Sequence, residues 1–279
     1  REFEPIWYGS IKKIEQLNQA KDLVKAHGLP KSRYDFLSNF TDTTIYDFEI
    51  KAMNAFFNLV SDLNSGLLEP TEINKEIIVF PKKLTLEEVF SRLKSKPYSG
   101  FSLAKQIYSF APNDPEYSKL LMELDRLRNL VSGFGWGDPV PEGKFLGYKL
   151  DHPNVLKLRT RLFKMGYLAF DSGSTIFDEG IKSSIQLFQA DHGLNDDGVA
   201  GNHTLQAINI SPETRLIQVL VNLERIRWSD DTKSSKYILV NQPNFQAYLF
   251  EDDEITWQSR VVIGLPEHQT QEFSDVMTH

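Results

Sequence analysis

The 279-residue chain contains no cysteine. Disulfide frameworks, thiolate metal sites and a cysteine nucleophile are therefore excluded within these residues. It also lacks a basic surplus: 31 Lys and Arg against 38 Asp and Glu leave a formal net charge of −7. A nucleic-acid groove needs a basic stripe, so nucleic acid is not an expected partner. No apolar run approaches the roughly 20 residues of a membrane-spanning helix, so no membrane span is expected. What remains is ordinary for a globular protein, with 41% hydrophobic and 25% charged residues. The length suggests about two domains.

Residues 1–150 read as a helical scaffold domain. Ile11, Ile14 and Leu17 fall near helical spacing, and the run closes at Gly28 with Pro30 beyond it. In "DFEIKAMNAFFNLVSDLNSGLLEP", Ile50, Met53, Phe57 and Val60 form an expected stripe, closed by Gly66 and Pro70. "LTLEEVFSRLKS" and "PEYSKLLMELDRLRNLVSG" read as two more helices, the second opened by Pro115 and closed by Gly133. No catalytic constellation stands out among these residues. "GWGDPVPEGKFLGYKLDHP" (135–153) is rich in Gly and Pro without helical periodicity, and reads as a linker or a domain boundary. Trp136 is expected to pack there rather than to stack on a sugar.

Residues 151–211 read as a three-helix unit. Val155, Leu158 and Leu162 make one stripe, Ile181, Ile185 and Phe188 a second, and Leu205 and Ile208 begin a third. Residues 212–235 form a connecting helix with Leu216, Val219, Leu220, Leu223 and Ile226 on one face. From 236 the period shortens. "KYILVNQP" and "FQAYLFEDDEITWQSRVVIGLP" read as strand, then strand, polar turn, strand. Two or three strands do not make an independent sheet. The expected class is mainly α with a C-terminal β portion.

The segment "FQADHGLNDDGVAGNHTLQAIN" (188–209) places Gly193, Gly198 and Gly201 within nine positions. A calcium loop with Gly198 at its sixth position would need acidic ligands at Gly193 and Thr204, so that reading fails. Gly193 instead ends one helix, Asp197-Gly198 makes a turn, and Gly201 or Asn202 opens the next, with Asn202 the candidate cap. The polar residues flanking the three glycines are Gln189, Asp191, His192, Asn195, Asp197 and Asn202, the candidate ligand-binding set. His192 and His203 match no common zinc spacing, so neither a metal nor a cofactor is expected.

The segment resembles the peptidoglycan-binding domain of bacterial cell-wall enzymes. The matching positions are Leu158, Leu162, Gly166, Tyr167, Phe188, Gln189, Gly193, Leu194, Asp197, Gly198, Gly201, Thr204, Ile208 and Asn209. Residues 236–279 resemble the entry to an L,D-transpeptidase catalytic domain of the YkuD type. Val240, Asn241 and Pro243 match its first strand and Arg260, Val261, Val262 and Gly264 a later one. Thr270, Phe273 and Ser274 follow, with Gln271 where proline is usual. The N-terminal half is similar to the scaffold of the large Gram-negative members.

The resemblance implies a periplasmic, cell-wall-associated enzyme whose partners are glycan strands, tetrapeptide stems and carbapenem-type β-lactams. It also implies 3→3 cross-linking by cysteine acyl transfer, with the Cys and the His base outside these residues. His279 stands where the family keeps no catalytic histidine. The alternative expectation is a non-catalytic scaffold that works by recruiting peptidoglycan.

Overall fold

The computed structural model describes residues 5–34, 44–95, 103–133, 135–229, 234–265 and 267–277. His279 lies outside them. Ten α-helices occur among the described residues: α1 Ile11–Val24, α2 Ile45–Ser65, α3 Pro70–Ile73, α4 Leu86–Ser95, α5 Leu103–Tyr108, α6 Pro115–Ser132, α7 Pro153–Met165, α8 Glu179–Asp191, α9 Asn202–Asn209 and α10 Pro212–Trp228. Five short strands accompany them: β1 Ile77–Ile78, β2 Lys236–Asn241, β3 Gln246–Glu251, β4 Glu254–Arg260 and β5 Glu272–Phe273. The molecule is mainly α with a small C-terminal sheet, as the sequence indicated. No described helix is long and apolar enough to cross a membrane. The chain divides into two compact units, one of residues 1–124 with 220–279, the other of residues 125–219.

In the first unit, α2 is the central core helix. Thr44 caps it, its side chain accepting from the Asp47 N–H at 3.2 Å. Its buried face carries Phe56, Leu59, Val60 and Leu63, packed with Leu17, Val24, Tyr34 and Ile107. The helical period holds and Val60 of the expected stripe is buried, but the centre of the buried face lies to one side of that stripe. Ile50 is 59% exposed, and Met53 and Phe57 are only partly buried. Apolar residues occupy more than half of this helix's circumference, so the sequence left the buried direction open and the packing partners fixed it. Ile11 is likewise exposed while Leu17 is buried.

The C-terminal part of α10 belongs to the same unit and buries charge as well as Leu223. Glu224 Oε1 accepts the backbone N–H groups of Leu67 and Leu68 at 2.5 and 2.8 Å. Its second oxygen pairs with Arg227 Nη1 at 3.1 Å. Arg227 also donates to Tyr117 Oη at 2.9 Å and to the His27 carbonyl. Because Tyr117 Oη accepts from Arg227, its own proton is free for His27 Nδ1, 3.0 Å away. Burial, reinforced by the Arg227 charge, lowers the His27 pKa to about 4, so the ring is neutral at pH 7.

The C-terminal strands pair antiparallel in the order β2-β3-β4. Asp252 and Asp253 join β3 to β4 with φ of 51° and 65°, the left-handed pair of a type I′ hairpin. Both faces carry open apolar side chains, among them Leu239, Val240, Ile255 and Trp257. The expected strand through Arg260, Val261, Val262 and Gly264 ends at Arg260 instead. Val262 has no strand partner and is 99% exposed. Strand β5 pairs in parallel with β1, the Glu272 N–H donating to the Glu76 carbonyl at 2.9 Å. Arg225 reinforces this pairing with an ion pair to Glu272 at 2.5 Å.

In the second unit, α7, α8 and α9 surround one core. All three expected stripes are buried: Val155, Leu158 and Leu162; Ile181, Ile185 and Phe188; Leu205 and Ile208. The stretch read as a linker contributes Val140 and Leu146 to the same core. Asn209 clamps it from the end of α9, accepting the Val140 N–H at 2.9 Å and donating to the Val140 carbonyl at 2.8 Å. Leu146 makes an antiparallel bridge to Ala200. Trp136 packs as expected, buried near the Arg161 guanidinium.

Candidate functional site

The site is the corner between α8 and α9. Helix α8 starts at Asp178, whose side chain accepts from the Ile181 N–H at 3.0 Å and pairs with the buried Arg159 at 2.6 Å. It ends at a left-handed Gly193, φ 64°. The Gly193 N–H reaches the Ala190 carbonyl at 3.2 Å and the Leu194 N–H reaches the Gln189 carbonyl at 2.8 Å. These two bonds close the last turn as a Schellman motif.

Gln189 braces the corner from inside. It is 1% exposed. Its Oε1 accepts the Gly198 N–H at 2.9 Å. Its Nε2 lies within 3.0–3.1 Å of Asp197 Oδ1, the Val199 carbonyl and Thr204 Oγ1. The amide is saturated by the protein itself and presents nothing to a ligand. The expected binding role of Gln189 therefore becomes a positioning role, because an amide one turn before the glycine end faces the loop rather than solvent.

Asp197 is exposed yet held. Its Oδ1 also accepts the Val199 N–H at 2.8 Å, and its Oδ2 accepts from Asn195 Nδ2 at 3.1 Å. The Val199 N–H, then the Gln189 and Asn195 amides, hold its carboxyl below the usual range. Asp197, Asn195 and Gln189 thus form one network.

Asp191 and His192 stand in a second group with Tyr167. Tyr167 Oη donates to Asp191 at 3.0 Å, and its ring meets Phe188 edge-on with centroids 5.2 Å apart. The His192 ring stacks on Phe188 at 3.9 Å and its Nδ1 bonds the Phe188 carbonyl at 2.8 Å. That bond makes Nδ1 the protonated nitrogen, and burial lowers the ring's pKa. Desolvation, then the Asp191 bond, raises Tyr167 to about 12.

Asn202 joins neither group. It is the exposed first residue of α9, and the cap position belongs to Gly201, which makes no side-chain cap bond. The expected Asn202 cap is therefore displaced by one residue. At φ −80° and ψ −178° Gly201 is in an extended conformation open to any residue. Its glycine is explained by space: an added Cβ would lie 3.2 Å from the Phe145 ring. Gly198 is needed twice over, with φ 75° and Lys182 Cγ only 2.8 Å from an added Cβ.

The residues that cover the corner escaped the sequence reading. Phe145 is 70% exposed over Gly201. Tyr148, half exposed, has Lys149 Nζ at 5.3 Å and Lys182 Nζ at 5.7 Å from its ring centroid. The available signal was the spacing in "KFLGYKL": two aromatics flanking a core leucine in a stretch otherwise built of Gly, Pro and charge.

Residues 151–208 match the family described as "Putative peptidoglycan binding domain". Residues 1–124 match the family described as "Scaffold domain". No curated protein matches the chain.

Proposed function

We propose that this chain is the scaffold and wall-binding portion of a periplasmic peptidoglycan L,D-transpeptidase. The observation that carries the reading is the order of parts. A scaffold match over 1–124 and a peptidoglycan-binding match over 151–208 precede a β segment bearing Val240, Asn241 and Pro243, then Thr270, Phe273 and Ser274. The open apolar faces of β2, β3 and β4 support it, since a three-stranded sheet with Leu239 and Trp257 in water is the geometry of part of a larger β structure.

In this reading the corner between α8 and α9 holds the enzyme on the wall and the chemistry belongs to residues outside this chain. A thiolate attacks the carbonyl of the third stem residue and expels D-alanine. An amine of a neighbouring stem then attacks the thioester, forming the 3→3 amide bond and releasing the thiol. Backbone donors stabilise each tetrahedral oxyanion.

Intact-mass measurement after incubation with a carbapenem tests the proposal. The 279-residue chain should acquire no adduct, because it has no thiol. The full-length gene product should acquire one equivalent on a downstream cysteine. A full-length product without such a cysteine, still retained by sacculi, would instead favour a non-catalytic scaffold that recruits peptidoglycan.

A further inference from the structure

We propose that Phe145, Tyr148, Lys149 and Lys182 form a subsite that takes one glycan strand together with the carboxylate of its peptide stem. The inference rests on the peptidoglycan reading above and names the surface that would do the binding. It departs from the polar residues expected of the corner, because Gln189 and Asp197 spend their hydrogen-bonding capacity on each other and on the loop.

Three observations converge on this surface. Phe145 lies over Gly201, so the ring rests on backbone and is held as a flat, open face. Such a face suits the C–H face of a pyranose, whose weakly positive hydrogens meet the negative face of the ring. Lys182 Cγ lies against Gly198, which ties the cation and Tyr148 to the same loop. Lys149 holds φ 67°, in the left-handed region, with its N–H bonded to the Phe177 carbonyl at 2.8 Å. A non-glycine residue kept there is strained locally and marks a position that the fold over-determines.

Charge selects the occupant. The protein is acidic overall, at −7, and peptidoglycan stems carry carboxylates, so approach at a random face is repulsive. Lys149 Nζ and Lys182 Nζ lie 5.3 and 5.7 Å from the Tyr148 ring centroid, and among the described residues the acid paired with Lys182 is Glu179, 3.3 Å from its Nζ. That pair is solvent-exposed and exchanges readily for a ligand carboxylate. A neutral glycan would use only the aromatic half.

The test is sedimentation with purified sacculi plus calorimetric titration with a disaccharide-tetrapeptide and with chitotetraose, all on the 279-residue chain. Phe145→Leu keeps the cover over Gly201 while removing the aromatic face, and Tyr148→Ala removes the second ring. Each should weaken both soluble ligands about tenfold, one step of affinity on the usual scale. The double variant Lys149→Gln/Lys182→Gln should weaken the disaccharide-tetrapeptide by a similar factor and leave chitotetraose unchanged. Phe170→Ala, at an exposed aromatic outside the subsite, should bind as the parent does. Unaltered binding by the folded aromatic variants overturns the subsite while leaving the peptidoglycan reading intact. An equal loss of both ligands in the lysine variant overturns the assignment of the stem carboxylate. A parent chain that fails to sediment with sacculi overturns the peptidoglycan reading and the subsite with it.

Discussion

The Gly198 N–H donates to Gln189 Oε1 at 2.9 Å, so a side chain at the end of α8 holds the backbone of the following loop in its left-handed turn. Helix end, loop and helix start are thereby one hydrogen-bonded object. Gln189→Leu should leave the Gly198 N–H and the Thr204 hydroxyl buried without their partner, destabilising the chain by about 2–4 kcal/mol. Gln189→Glu should be at least as damaging, because a carboxylate would face Asp197 Oδ1 and the Val199 carbonyl. Urea denaturation measures both; midpoints equal to the parent's would remove the bracing role.

Phe188 ties the same helix to the core, touching Tyr167 edge-on and His192 face-on. Phe188→Ala should cost about 3–5 kcal/mol, the range for a buried phenylalanine. An unchanged thermal midpoint would contradict its burial.

The glycines of the corner separate by mechanism. Gly198→Ala meets both a left-handed φ and the Lys182 side chain, and should cost about 1–2 kcal/mol in any background. Gly201→Ala meets only the Phe145 ring, and should cost about 1 kcal/mol. In a Phe145→Ala background the second cost should vanish while the first persists. A double-mutant cycle with no coupling between 145 and 201 would refute the contact.

His27 makes stability fall on mild acidification. Its folded pKa, about 4, lies below the ordinary imidazole value of 6.5. Between those values the unfolded chain binds a proton that the folded ring refuses, so stability drops as pH falls from 6.5 to about 4 and levels off below. The full drop from this group is roughly 3 kcal/mol. Denaturation midpoints across that range should show the slope, and His27→Gln should flatten it.

Glu224 and Arg227 are a buried pair, their side chains 9% and 2% exposed. Glu224→Leu alone strands the arginine charge and should cost about 3–5 kcal/mol. Adding Arg227→Met should recover part of that loss. Equal destabilisation by the single and double variants would show that the pair acts through the Leu67 and Leu68 N–H groups alone.

The sequence by itself determined the stripes of α7, α8 and α9, the glycine ends and the Asp252-Asp253 hairpin. Each is a short-range consequence of helical period or of a φ that few residues adopt. It also located the α8–α9 corner. It did not determine which side of α2 is buried, because an apolar surface wider than half the helix leaves the phase to its partners. Nor did it show that Val140 and Leu146 leave an irregular stretch to join the core, or that Gln189 turns inward while Phe145 and Tyr148 face out. The Val140 and Leu146 assignments depend on contacts between residues more than 50 positions apart, Asn209 on Val140 and Ala200 on Leu146, whereas Gln189 is turned inward by loop groups 8 to 15 positions further on. A polar residue beside a glycine turn reads the same whether it is spent on the loop or offered to a ligand. Only the folded chain, by turning Gln189 inward onto the Gly198 N–H and the Thr204 hydroxyl, shows that its amide is spent on the loop.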